Sequence, residues 1–216
     1  MMDQRQLLHG NNGMKRSRRT LKDVTMSLKV LSHWNTLMED TNDWPHYDVD
    51  PQMVNRRGIY KDLYRCTTPW ADYQFRPNFA IAMVVAPELF DPAKALGCLK
   101  LADEVLRGPT GMRTLDPKDL AYRPNYINSD DSDDFAVAKG RNYHQGPEWL
   151  WCTGFFLRAF LKFDLPIRTD TAGRVETLQQ LHSRLYHHRR MIEESPWAGL
   201  VELTNQDGGI SNYWLY

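Results

Sequence analysis

The densest run of groups able to do chemistry lies between residues 139 and 151, Lys-Gly-Arg-Asn-Tyr-His-Gln-Gly-Pro-Glu-Trp-Leu-Trp. Asn142, Tyr143, His144 and Gln145 place hydrogen-bond donors and acceptors side by side. Gly146 and Pro147 turn the chain, with Pro147 suited to the first turn of a helix, and Trp149 and Trp151 open an apolar run that reaches Phe163. Polar groups beside aromatic faces suit a neutral, hydroxyl-rich ligand. The hydroxyls take hydrogen bonds, and an apolar sugar face lies against an indole. The same residues also fit a self-satisfied loop on a buried helix, and composition leaves both readings open.

Other chemistry is excluded more firmly. Residues 129–134 (Ser-Asp-Asp-Ser-Asp-Asp) invite a calcium loop, which needs Gly at its sixth position and Glu at its twelfth. Counted from Asp130 those positions are Phe135 and Arg141, so the run reads as a solvated acidic loop. His182 and His187 stand five apart rather than four, and no Cys or helical Glu completes a ligand set, so no metal site is expected. Cys66, Cys98 and Cys152 contain no C-x-x-C pair and suggest a reducing, cytoplasmic compartment. With 27 basic and 27 acidic residues there is no electrostatic case for nucleic acid or an anionic membrane. The apolar runs 79–87 and 149–163 are too short or too interrupted to span a bilayer.

The elements that position the polar loop can be read from caps and periodicity. Residues 1–20 form a basic leader, expected to be disordered, containing Lys15-Arg16-Ser17-Arg18-Arg19. A helix is expected over 22–39, with Val24, Leu28, Leu31 and Met38 near one stripe. Phe79 to Val85 is apolar all round, and Pro87 ends or kinks it. Asp91-Pro92 is a cap followed by an N1 proline, and Gly108-Pro109 is the stop. Residues 110–146 show little periodicity. Further helices are expected over 147–163 and 171–192. With no strand pattern, phosphate loop or repeat, the expectation is an all-α fold with long loops.

Four blocks, in order, carry a family resemblance. They are Asp72-Tyr73-Gln74-Phe75-Arg76-Pro77-Asn78-Phe79 running on to Ala86-Pro87-Glu88-Leu89-Phe90, Gly108 to Pro117, Tyr143 to Trp151, and Ser195 to Asn205. The chain resembles, over residues 55–206, the glucosidase region of eukaryotic glycogen debranching enzymes. The resemblance implies an (α/α)6 toroid of which residues 21–206 supply about half, followed by a divergent tail at 207–216. It implies hydrolysis of α-1,6-glucosidic branch points in glycogen by two carboxyl groups, with inversion and therefore a pair ~6.5–9.5 Å apart. Glu202, between Val201 and Leu203, matches the general base, and desolvation by those neighbours would raise its pKa. Arg76, Asn78, Asp116, Asn142, His144, Gln145 and Trp149 match the sugar-binding surroundings. Arg76 and Asp116 are equally suited to structural ion pairs. The family's general acid lies in a Trp-Met-Asp motif, and this sequence contains none. The expected partners are glycogen or a branched α-glucan and the remainder of a debranching enzyme, with no cofactor. A glucan-binding module without catalysis is the alternative. Half a toroid would leave one flank of its apolar helices uncovered, the 77–86 helix most of all.

Overall fold

The computed structural model describes residues 51–63 and 66–206. The leader 1–20, the helix expected over 22–39 and the tail 207–216 lie outside the described residues. The apolar stretch after Pro77 forms α1 (Phe79–Val85), and Pro87 diverts the chain into a single 3-10 turn, Pro87–Leu89. Asp91 then caps α2 (Pro92–Val105), its carboxylate accepting the Lys94 N–H at 2.9 Å. Ala95, Leu96, Cys98, Leu99 and Ala102 form the buried face of α2.

Three two-residue strands follow: β1 (Met112–Arg113), β2 (Glu148–Trp149) and β3 (Leu203–Thr204), an antiparallel sheet in the order β1-β2-β3. Met112 pairs with Trp149 and Trp149 with Leu203; Arg113 pairs with Glu148 and Glu148 with Thr204. Between β1 and β2 lie turns and one short helix, α3 (Lys139–Asn142). The acidic run here binds its own backbone: Asp130 accepts from the Ser132 N–H at 2.9 Å and Asp134 from the Ala136 N–H at 2.8 Å.

The helix expected from residue 147 begins later, as α4 (Trp151–Asp164). Pro147 is not its first residue. The Pro147 carbonyl accepts from both the N–H and the hydroxyl of Thr114, at 3.2 and 3.0 Å, and this pulls 147–149 into the sheet. The helix expected over 171–192 is two: α5 (Thr171–Arg184), capped by Asp170, and α6 (Tyr186–Glu194). The break at Leu185 lets His188 turn inward to bond the Thr110 carbonyl.

The core is α4 packed against α1 and α2, with α5 alongside. Phe75 stacks on Phe79 at 5.8 Å, and Phe90 meets Tyr60 and Phe163 edge-on at 5.2 and 6.3 Å. Of the apolar helix α1, Phe79, Ala80 and Met83 are buried, Ile81, Ala82 and Val84 are half-buried, and Val85 is 74% exposed. A further group of exposed apolar residues lies along α5 and α6, where Val175, Leu178, Leu185 and Ile192 are 42–50% exposed. The fold that the described residues form is helix-rich with one small sheet.

Candidate active site

The sheet joins three segments that are far apart in sequence. β1 brings the 108–117 turn, β2 the end of the polar loop, and β3 the segment holding Glu202. Its centre is Glu148, which is fully buried. One carboxylate oxygen accepts from the N–H groups of Thr110 and Gly111, both at 3.0 Å, and from the Thr110 hydroxyl at 3.2 Å. That hydroxyl also meets the Thr204 hydroxyl at 2.6 Å, tying β1 to β3. Burial pushes the Glu148 pKa up, and the Thr110 and Gly111 N–H groups and the nearby Arg113 only partly offset it.

Glu202 precedes β3, its carbonyl accepting the Leu150 N–H at 3.2 Å. Val201 and Leu203 are buried, whereas Glu202 is exposed. Alternation along the extended segment turns the carboxylate away from the apolar face its neighbours occupy. The desolvated carboxylate anticipated from those neighbours is therefore not what forms. The Tyr143 hydroxyl donates to Glu202 Oε2 at 2.7 Å. The Tyr143 pKa is raised, first by burial and then by this bond to an anion, so the phenol keeps its proton and remains the donor.

Around this pair stands an aromatic cluster. The Tyr143 ring lies 5.0 Å from Tyr126, 4.7 Å from His144 and 4.8 Å from Trp149. His144 stacks on Trp149 at 4.7 Å, and the Trp149 indole N–H donates to the Tyr143 carbonyl at 3.0 Å. Trp149 is buried; His144 is exposed. Partial desolvation of the exposed ring where it stacks on Trp149, then the Arg76 cation, lower the His144 pKa, against the opposing pull of Glu202. A neutral imidazole with one donor and one acceptor nitrogen is what results near pH 7. Trp151, also exposed, pairs with Phe155 rather than with this cluster.

Arg76 is the other organiser. It donates to the carbonyls of Thr114 (2.9 Å) and His144 (2.6 Å) and to the side-chain oxygens of Gln74 (2.8 Å) and Gln145 (2.9 Å). Asp62 stands 3.8 Å away and also accepts from the Asn78 amide at 2.8 Å. Burial lowers the Arg76 pKa and raises that of Asp62, and each charge counters the shift on the other. The structure thus groups Arg76, Asn78, His144 and Gln145, and sets Glu202 beside Tyr143. Asp116 is fully buried and gripped by Arg56 in a two-pronged ion pair. Asn142 is fully buried, its amide donating to the Ala136 carbonyl at 3.1 Å. Tyr126, Arg56 and Asp62 are the participants sequence reasoning passed over. Nothing in their local sequence marks them, since each acts through partners at least 14 residues away. Tyr143 lies in the polar 139–151 run, but its role depends on a residue 59 positions on.

Among the described residues no group of three or more His, Cys, Asp or Glu side chains could hold a metal ion, and no helix is long and apolar enough to cross a membrane. The chain is 54% identical over 199 residues to a glycogen debranching enzyme of Saccharomyces cerevisiae, a match that covers 84% of this chain and 13% of that protein. The chain thus spans about an eighth of the length of this curated relative. Residues 11–213 match the family model described as amylo-alpha-1,6-glucosidase, and the chain belongs to that family.

Proposed function

We propose that this chain carries the general-base side and the sugar-facing loop of a centre that hydrolyses α-1,6-glucosidic branch points in glycogen. The observation that best supports the reading is the 2.7 Å bond from Tyr143 to the exposed Glu202 carboxylate, beside a stacked His144. Glu202 activates a water for attack at the anomeric carbon, and Tyr143 holds the carboxylate in place while a second lone pair receives the proton. His144 and Gln145 bond glucose hydroxyls. Trp149 acts through His144, whose ring it supports. Arg76, Asn78, Asp116 and Asn142 keep the rim in shape.

In this reading residues 21–206 form about half of an (α/α)6 toroid, and the general acid comes from a wall bearing a Trp-Met-Asp motif elsewhere in a debranching enzyme. The partners are then glycogen, or another branched α-glucan, and that remaining wall, in the cytoplasm. The test is Glu→Gln at the position matching Glu202 in the S. cerevisiae relative. Glucose release from a branched limit dextrin should fall by ~10²-fold or more, the range for losing a general base, while α-1,4-glucan transfer persists. Glucose release within threefold of the parent would refute the assignment.

A second reading, glucan binding without cleavage, is favoured for the isolated chain by the absence of Trp-Met-Asp from its sequence. It expects no glucose release by the chain alone, with or without Glu202→Gln.

A further inference from the structure

A cavity of about 330 Å³ lies where the 108–111 turn meets the junction of α5 and α6. The sheet separates it from the candidate active site. Glu148 points to the turn, and the next residue, Trp149, carries the Tyr143 and His144 rings on the other face. The polar wall of the cavity is Arg107, Thr110, Thr153, Ser183, Arg184 and His187, and no Asp or Glu among the described residues lines it. The volume stands at the lower end of the ~300–1,000 Å³ range of small-molecule sites.

The charges here do not cancel. Arg184 grips Asp103 with two nitrogens, Nε at 2.8 Å, and Arg107 shares the same carboxylate, its Nε 3.4 Å from Oδ1. One carboxylate therefore answers two guanidiniums. The other nearby acid, Glu148 behind the turn, is answered by Arg113 and by the Thr110 and Gly111 N–H groups. One positive charge is left over. Arg107 carries it outward: its side chain is 50% exposed, and its two Nη groups make no hydrogen bond among the described residues. The carbonyl end of a helix repels an anion, but at the end of α2 those groups are occupied, the Val105 and Arg107 carbonyls accepting from Arg113 Nη1, both at 3.0 Å. α6 meets the cavity with its N-terminal turn, which has no side-chain cap and contains the exposed His187. Thr153, on the α4 wall, is 6% exposed, and its hydroxyl is a buried group that no described residue satisfies.

We infer that this cavity binds a phosphate group, as inorganic phosphate or as the phosphate ester of a single sugar, with Arg107 and His187 at its mouth and Arg184 within. Guanidinium and imidazole N–H groups from three directions suit a tetrahedral oxyanion, and the bonds they make to it are charge-assisted. The cavity is larger than a phosphate ion, which leaves room for a sugar ring beside it. The inference does not rest on the function proposed above.

The experiment is isothermal titration of the full chain with inorganic phosphate, glucose 6-phosphate and glucose. Both phosphates should bind, and added NaCl should weaken them. Glucose 6-phosphate binding tenfold or more tighter than inorganic phosphate identifies the ester as the ligand; equal affinities identify the free ion. Arg107→Gln should weaken both about tenfold, corresponding to ~1.4 kcal/mol, and Arg107→Lys, which keeps the charge, should weaken them less. His187→Glu places an acid at the exposed mouth and should abolish binding, a second removal should Arg107→Gln disturb folding. Phosphate also stabilises proteins by exclusion from their surfaces, so its effect on the urea midpoint is compared between parent and His187→Glu, and only the parent should show the larger rise. Glu202→Gln should leave phosphate affinity within twofold, and heat from glucose that survives Arg107→Gln belongs to the candidate active site. Absence of saturable binding by both phosphates, or unchanged affinity in both Arg107→Gln and His187→Glu, would overturn the inference.

Discussion

Gly108→Ala is a small change with a large expected effect. A Cβ built on Gly108 would lie 1.8 Å from one Glu148 carboxylate oxygen and 1.9 Å from its Cδ. The carboxylate must move, yet its other oxygen accepts three hydrogen bonds in a fully buried setting. At ~1 kcal/mol for each bond to a neutral acceptor, and more if the group is ionised, displacement costs at least ~3 kcal/mol. Against a typical ~5–15 kcal/mol of total stability this is severe. For a domain of this size it corresponds to a melting-temperature drop of ~6–12 °C. Urea unfolding would measure it, and a double-mutant cycle would locate it. Glu148→Ala alone also destabilises, by leaving the Thr110 and Gly111 N–H groups without their acceptor. In the double variant the clash is gone, so the two costs should fall short of additive by more than ~1 kcal/mol. A Gly108→Ala effect below 0.5 kcal/mol, or simple additivity, would refute the reasoning.

Gly97 supplies the opposite case: it lies within α2, exposed, and a Cβ there meets nothing within 4 Å, so Gly97→Ala should stabilise by ~0.5–1 kcal/mol in the same urea assay. Buried Asp164 accepts from the Thr177 hydroxyl at 2.5 Å and from Arg168 at 3.0 Å; burial would raise its pKa, but these partners outweigh it and hold it below the ordinary value. A depressed carboxylate pKa stabilises the fold above the unfolded value of ~3.9 and loses that contribution as pH falls through the folded one. Thr177→Val should therefore lower stability at pH 7 and flatten the acid limb of the stability–pH curve. Finally, the exposed apolar residues along α5 and α6 predict binding of a hydrophobic dye to the folded chain. Leu178→Lys with Leu185→Lys should reduce the fluorescence without lowering the urea midpoint.

The parts legible in the sequence are those set by neighbours along the chain. Asp91-Pro92 announces a helix start because a capping carboxylate reaches only three residues ahead, and Ala95, Leu99 and Ala102 show their buried face because helical period is a local property. The family likewise shows in blocks of adjacent residues. The sheet was invisible, because two-residue strands are too short to show alternation, and residues 147–149 read as the beginning of a helix until the Thr114 bonds to Pro147 are seen. No neighbour along the chain sets Glu148 apart from the other carboxylates. Its burial is decided by Thr110 and Thr204, 38 residues before it and 56 after. Glu202 looked enclosed by Val201 and Leu203, and only the pairing of β3 determines that its side chain faces outward to Tyr143. Caps and stripes are short-range energetics and can be read residue by residue. Which carboxylate is buried and which is presented depends on contacts that exist only once distant segments have been brought together.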